Sequence, residues 1–391
     1  MGPAAGGYPL DGLRVLDLSR VLSGPIAARM LSDMGADVVK LEPPDGDVTR
    51  AWGEVRHGLS GFYTQQNAGK RNVCIDLRAP GAVDLVRRLA TIADVVIENF
   101  RPGVLSRLGL GWDDLSARNP RLVMLSISGF GQQGPDAHRQ AYAAVIHGES
   151  GIIARQAAFD GRPPSDPMLS IADTNAGLHG LAAVLAALVQ RERTGLGDHI
   201  DLSMLDSMLA TDDYVHHYTD GFPVIRLGGT IWDGPEGPVL VAADFRYLWR
   251  QLKELFGLDD GVPTDADLAD KIAGRRAAIA GWFASFADAD TLHSALDTAN
   301  LAWGTVASPE EAVRSASVVA RGSVAEVDDR GGGTRRVVQS PYRFAASRSG
   351  VRGGAPRRGE HNAAVLADWL ALGEEELGAL AAAGVLLAED A

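Results

Sequence analysis

The chain has 391 residues, 46% hydrophobic and 22% charged, with a formal net charge of −13 at neutral pH. That length exceeds one ordinary core and points to two or three domains, and the acidic balance excludes a general grip on phosphate backbones, which needs a basic surface. Apolar runs fall short of the roughly 20 residues of a membrane span, the start MGPAAGGYPL lacks the pattern of a secretory signal, and the single Cys74 excludes an intrachain disulfide, so a cytoplasmic location is expected.

LRVLDLS (13–19) reads as a buried strand, followed by a turn, a helical stretch over 26–34 and a second strand in ADVVKLE (36–42). The strand–helix–strand unit then recurs. NVCIDL (72–77), which holds Cys74 as an expected core residue, leads into a helix from Pro80 to about residue 92. ADVVIENF (93–100) and LVMLSISGFG (122–131) are the next strands. Several such units before residue 130 predict an α/β fold with an open, doubly wound parallel sheet.

After LSIAD, the residues Leu178, Leu181, Ala182, Leu185 and Leu188 recur at spacings of three and four. They predict a long helix, stopped by Arg191, Arg193 and Gly195. Asp173 falls at the expected N-cap. Its carboxylate can serve simply by accepting the first free amides of the helix. It can also act as a nucleophile, with those amides stabilising the charge that develops beside it. His179 reads as a helix-face residue.

HIDLSML (199–205) is a further strand-to-helix transition, after which the pattern weakens to about residue 230. Tyr214, His216, His217 and Tyr218 crowd together there, without the spacing and matching acid of a metal site. GPVLVAAD (237–244) opens a smaller region with amphipathic helices in FRYLWRQLKELFG, RRAAIAGWFASF and TLHSALDTAN. The Gly- and Arg-rich stretch over 326–360 reads as an extended connector, and two short amphipathic helices close the chain.

GFGQQG (129–134) matches the dinucleotide fingerprint in form, yet Pro135 follows in place of a helix and Glu149 ends no strand. A backbone loop near a ligand is expected there. Lys40, Arg50, Lys70, Arg71, Arg101 and Arg107 gather in the early loops. Each alone is a surface charge, and together at strand ends they form a candidate phosphate site.

Five segments stand in the order found in the class III CoA-transferases. They are VLDLSRVLSGPIAARMLSDMGADVVKLEPPDGDVTR, NAGKRNVCIDL, ADVVIENFRPGVLSRLGLGWDDLSARNPRLVMLSISGFGQQGP, the Asp173 stretch with RTGLGDHIDLSML, and RRGEHNAAVL. The chain resembles that family over essentially its whole length. Its members include carnitine/bile-acid CoA-transferases, formyl-CoA transferase and α-methylacyl-CoA racemases. The resemblance implies a large Rossmann-like CoA-binding domain over 1–205, a linker over 206–225 and a small α+β domain over 226–325. A second linker over 326–355 and C-terminal helices over 356–391 complete the large domain.

The same resemblance implies two protomers interlocked as rings in a homodimer. Acyl-CoA and a carboxylic acid are the implied substrates, coenzyme A is the group carried, and no metal, nucleic acid or membrane is involved. Asp173, in ADTNAG, matches the family's catalytic nucleophile. Arg20, Val21, Leu22, Lys70, Arg71, Asn99, Phe100 and Arg107 match positions along CoA. Tyr142 completes the implied site, with Thr174 and Asn175 at the oxyanions.

The chain departs from its relatives at four places. The racemase branch carries a His in the segment after GFGQxGP, where this chain has Tyr142, with His147 five residues later. Many transferases follow that Tyr with an acid, where this chain has Ala143. Only Gly228 and Gly229 stand where formyl-CoA transferase has a run of glycines, and Leu22 replaces a Gln, so a substrate larger than formate or oxalate is expected. The alternatives are an acyl-CoA racemase or isomerase on the same scaffold and a non-catalytic acyl-CoA-binding protein.

Overall fold

Short runs of Val, Ile and Leu build the strands, and their alternation decides which face each side chain serves. The computed structural model describes residues 6–222 and 228–389. In chain order its first strands are β1 (Arg14–Asp17), β2 (Asp37–Glu42), β3 (Val55–Arg56), β4 (Leu59–Ser60), β5 (Arg71–Cys74), β6 (Val95–Glu98), β7 (Val123–Ser128) and β8 (Asp198–Ser203). β3 and β4 pair with each other, and the remaining six form one sheet in the order β5-β2-β1-β6-β7-β8. All five pairings in that sheet are parallel.

The chain winds from β1 through β2 to β5, then crosses to the other side of β1 and continues through β6, β7 and β8. The carboxyl ends of β1 and β6 therefore flank the topological switch point, the crevice where sheets of this kind take ligands. Helices α1 (Ser23–Asp33), α2 (Gly61–Asn67), α3 (Ala82–Ile92), α4 (Val104–Arg107), α5 (Trp112–Ser116), α6 (Ala143–Glu149), α7 (Ile152–Asp160), α8 (Ile171–Thr194) and α9 (Met204–Thr211) accompany it. Leu16, Val39 and Val96 join a core with Leu89 of α3 and with Val365 and Trp369 of the helix Asn362–Leu370. Their neighbours Val15, Val38 and Ile97 face the other way, against α1 and α8. Both faces of the sheet are thus covered, as a parallel sheet requires.

Several expected boundaries move. α1 begins at Ser23 rather than at residue 26. α3 begins at Ala82 rather than at Pro80, because Gly81, at φ 83°, takes the N-cap. The stretch after residue 205, expected as a linker, is helical over Met204–Thr211 and Val215–Thr219. The 326–355 connector is not extended either, since Val324–Asp328 and Thr334–Val338 pair as an antiparallel hairpin. Its arginines are tethers: Arg330 donates to the Ala355 carbonyl, Arg352 to that of Ala36 and Arg357 to that of Arg330.

The chain forms two compact units, one of Met1–Val215 with Ala320–Ala391 and one of His216–Val319. The second contains an antiparallel sheet of Thr230–Gly234, Gly237–Val241 and Trp303–Thr305. Trp232, Trp249, Ile279, Phe283 and Leu292 form its core. The expected domain start at residue 226 lies outside the described residues.

α8 is long and apolar enough to cross a membrane, with a mean hydropathy of 1.3, yet half of that stretch is buried within the protein. It is a core helix of its unit. Leu178 and Ala182, expected on its apolar stripe, are exposed. The buried face carries smaller residues, among them Ala172, Ala176, Gly177 and Gly180. They let α1 pack close: a Cβ on Gly177 would lie 2.7 Å from the Ser23 carbonyl oxygen and against Ile26. Gly177→Ala is therefore expected to lower unfolding stability by about 1–3 kcal/mol, the usual cost of overpacking, read from urea denaturation.

Candidate active site

The loop leaving β1 is held from three sides. Asn99 accepts the Arg20 amide at 2.8 Å, and its Nδ2 donates to the Arg20 carbonyl at 2.7 Å and to Ser23 Oγ at 3.1 Å. Val21 turns the chain at φ 69°, a left-handed conformation that is rare for a β-branched residue. Asp47 stabilises that turn by accepting the Val21 amide at 3.2 Å, and Lys40 pairs with Asp47 at 3.1 Å. Lys40 also donates to the Ser19 carbonyl at 2.8 Å. A buried ion pair thus sets where α1 begins.

Asp173 is not an N-cap. Ser170 holds that position, and Asp173 lies within the first turn of α8. Its carboxylate is free of its own helix and accepts instead from the Ser23 amide and hydroxyl and from the Ala143 amide. Ser23 and Ala143 are the first residues of α1 and α6, so two helix starts converge on one acid. Only 8% of Asp173 is exposed. Burial raises its carboxyl above the ordinary value of 3.8, while the hydrogen bonds from Ser23 and Ala143 and the nearby His147 act in the opposite direction. The outcome is a carboxylate more basic than usual, held by preorganised donors.

The oxyanion donors expected at Thr174 and Asn175 are occupied. The Thr174 amide donates to the Ser170 carbonyl at 3.1 Å within the helix, and the Asn175 side-chain amide donates to Thr211 Oγ1 at 2.7 Å. The donors at Asp173 come from Ser23, through its amide and hydroxyl, and from the Ala143 amide. The expected donors were the backbone amides at the start of the Asp173 helix, whereas the observed ones belong to the starts of α1 and α6, which only the tertiary fold brings to the acid.

His147 is buried behind the acid. Its Nε2 accepts the Ala172 amide at 3.2 Å, which leaves Nδ1 to carry the proton towards Asp166, 2.8 Å away. Both nitrogens are therefore engaged, and the ring secures the start of α8. Tyr142 precedes α6 and is 58% exposed. It lines two clefts that meet at Asp173.

The first cleft is lined by Arg20, Val21, Asn99, Phe100 and Arg101 as well as Tyr142 and Asp173. The Arg20 guanidinium lies 5.9 Å from the Phe100 ring centre. Behind Phe100, an apolar pocket opens among Leu18, Ile75, Leu77 and Leu105. Leu22 lines the second cleft. The other expected cations are elsewhere. Lys70 is buried against Asp17 at 2.8 Å and also bonds the Pro25 carbonyl and Asn67. Arg50 pairs with Glu42 at 2.8 Å. Arg71 pairs with Asp37 and Asp368 at the amino ends of β5 and β2, the opposite edge of the sheet from the crevice. Arg107 is exposed at the end of α4 and lines neither cleft. The early basic residues are thus mostly internal counter-charges, and Arg20 and Arg101 are the cations left at the crevice. Among the described residues, no group of three His, Cys, Asp or Glu side chains gathers to hold a metal.

Next to the crevice, Glu98 ends β6 and accepts the Phe100 amide at 2.8 Å. Burial pushes its carboxyl up to about 7, against the hydrogen bonds from Ser126 and Phe100. Ser126 Oγ continues to His199 Nε2 at 3.0 Å, and Trp112 stacks on that imidazole. Near neutrality the folded protein therefore holds a proton here that the unfolded chain, with the ordinary value of 4.5, has released. Stability from this group is complete below about 4.5 and falls as pH rises to about 7, by about 3 kcal/mol. Glu98→Gln copies the protonated acid. It is expected to match the parent at low pH and to exceed its urea-unfolding stability at pH ~8 by up to that amount.

The sequence profile of CoA-transferase family III matches residues 10–362. The chain belongs to CoA-transferase family III. This CoA-transferase is 35% identical over 387 residues to the succinate–glutarate CoA-transferase of Agrobacterium fabrum, covering 92% of this chain and 95% of that protein. It is 32% identical to the succinyl-CoA–D-citramalate CoA-transferase of Chloroflexus aurantiacus, covering 97% and 98%. Its structure is similar to that of a CaiB/BaiF family protein from Brucella suis, with a TM-score of 0.79 at 30% identity over 93% of this chain and 100% of that one. The likeness spans the α/β fold with its large parallel sheet, in which the crevice and Asp173 described above lie.

Proposed function

We propose that this CoA-transferase carries CoA from an acyl-CoA donor to a carboxylic acid through covalent intermediates on Asp173. The observation that carries this reading is the buried Asp173 carboxylate, bonded by the starts of α1 and α6 where two clefts meet. The Asp173 oxygen attacks the donor thioester carbonyl, the C–S bond breaks, and CoA leaves as thiolate from a mixed anhydride. The thiolate then attacks the Asp173 carbonyl carbon of that anhydride. The donor carboxylate departs, leaving an aspartyl–CoA thioester. The acceptor carboxylate attacks this thioester and releases thiolate once more, and the thiolate takes the acceptor's acyl carbon and frees Asp173. No net proton or electron is exchanged.

Each attack on the Asp173 carbonyl gathers negative charge on an oxygen that the Ser23 and Ala143 amides already address. CoA lies in the first cleft, where Arg20 and Arg101 meet its phosphates and Asn99 and Phe100 line its path. Lys70 acts through the loop it supports rather than by touching CoA. The working unit is a homodimer of interlocked protomers, a reading that rests on the resemblance to the family. Intact-protein and peptide mass spectrometry after mixing with acetyl-, succinyl- and longer acyl-CoAs tests the mechanism. A CoA adduct on the Asp173 peptide, absent in Asp173→Ala, is the expected result. No adduct from any donor, despite measurable CoA binding, would overturn it.

A further inference from the structure

The two clefts that meet at Asp173 differ in chemistry. The first carries Arg20, Arg101 and Arg139, although Arg139 is already paired with Glu149 and Asp136. The second is walled by Leu22, Trp52, Phe62, Met168 and Leu169. Trp52 and Phe62 pack edge to face with ring centres 5.2 Å apart. Among the described residues no Lys or Arg lines this second cleft, and its charged groups are Asp166 and Asp173 themselves. The two arginines of the neighbouring hollow that Trp52 and Phe62 also line are engaged: Arg56 pairs with Glu54 at 2.9 Å, and Arg335 donates to the Leu59 carbonyl at 2.7 Å. The one imidazole present, His147, has both nitrogens occupied.

A thioester placed with its carbonyl at Asp173 must send its two halves into different clefts. The CoA half carries several phosphate charges and needs the cations of the first. The acyl half is left with the apolar walls of the second. We infer that the acyl tail occupies this cleft and that the substrates of this enzyme are CoA thioesters and acids with an uncharged aliphatic or aromatic tail, not dicarboxylates. This rests on Asp173 as the nucleophile. A second carboxylate against the apolar walls of Leu22, Trp52 and Phe62 would exchange part of its hydration for hydrocarbon, find no cation among the described residues and face Asp166, which a hydrocarbon tail does not. The expectation separates this chain from the relatives named for succinate, glutarate and citramalate.

Hexanoyl-CoA and glutaryl-CoA have tails of similar length and differ in the terminal carboxylate. Loading of the Asp173 peptide, followed by mass spectrometry, is expected to be about 100-fold faster with hexanoyl-CoA. Equal or faster loading by glutaryl-CoA overturns the inference while leaving the nucleophile intact. Met168 is fully exposed at the cleft, so Met168→Lys leaves the fold undisturbed and supplies an ammonium there. It is expected to narrow the hexanoyl-to-glutaryl ratio by at least about tenfold, and an unchanged ratio overturns the placement. If neither thioester loads, the nucleophile is wrong and binding decides the cleft. Calorimetry on Asp173→Ala should then show hexanoyl-CoA binding at least about tenfold tighter than glutaryl-CoA, and equal affinities overturn the inference.

Discussion

Asp173→Asn is expected to lower CoA transfer by at least about 1,000-fold, as loss of a covalent nucleophile does, and at the same time to raise the thermal midpoint at neutral pH. The second effect follows from linkage. Burial raises the Asp173 carboxyl above its unfolded value of 3.8, so this group favours the fold below that value and loses that contribution as pH rises through the folded one. At neutral pH the buried charge is a net burden, and asparagine removes it. The parent enzyme should show the matching kinetic signature, an acid limb in its transfer rate that lies above the ordinary carboxylate range. A variant that loses activity and also loses stability would mean that the hydrogen bonds from Ser23 and Ala143 outweigh the burial.

Asp47→Ala is expected to lower unfolding stability by about 3–5 kcal/mol, because it strands Lys40 without its nearest partner in a buried place. It also frees the Val21 amide from the turn that precedes Ser23. Weaker CoA binding by calorimetry should therefore accompany the lower urea midpoint, although Asp47 lines neither cleft at Asp173. Asp47→Asn separates the two effects. It keeps an oxygen for the Val21 amide and discards the charge, so CoA affinity should recover further than stability does.

The parallel sheet was legible because most of its strands are short apolar runs that recur between helical patterns, β1, β2, β6 and β7 being almost wholly buried. The α8 helix was legible too, but its buried face was not. Leu178 looked like core by spacing, whereas Gly177 is the residue that admits α1 and Gly180 the one that admits Leu125 of β7, and glycine adds nothing to an apolar count. The site was half legible. Asp173 announced itself as a carboxylate at a helix start. Its donors, the Ser23 amide and hydroxyl and the Ala143 amide, lie far from it in the chain, and only the fold brings them to it. The basic cluster misled for the converse reason. Lys40, Arg50 and Lys70 carry charge in the sequence, and only the fold shows Asp47, Glu42 and Asp17 neutralising it.

The convergence of α1 and α6 on Asp173 ties reactivity to the completeness of folding. Ser23, Ala143 and Asp173 come from distant parts of the chain, so the acid gains its unusual basicity and its donors only after all three have met. In a nascent or partly opened chain the same carboxylate is hydrated and ordinary. On the proposed mechanism such a chain would not capture acyl groups from thioesters, so the chemistry would be withheld until the architecture that contains it has closed.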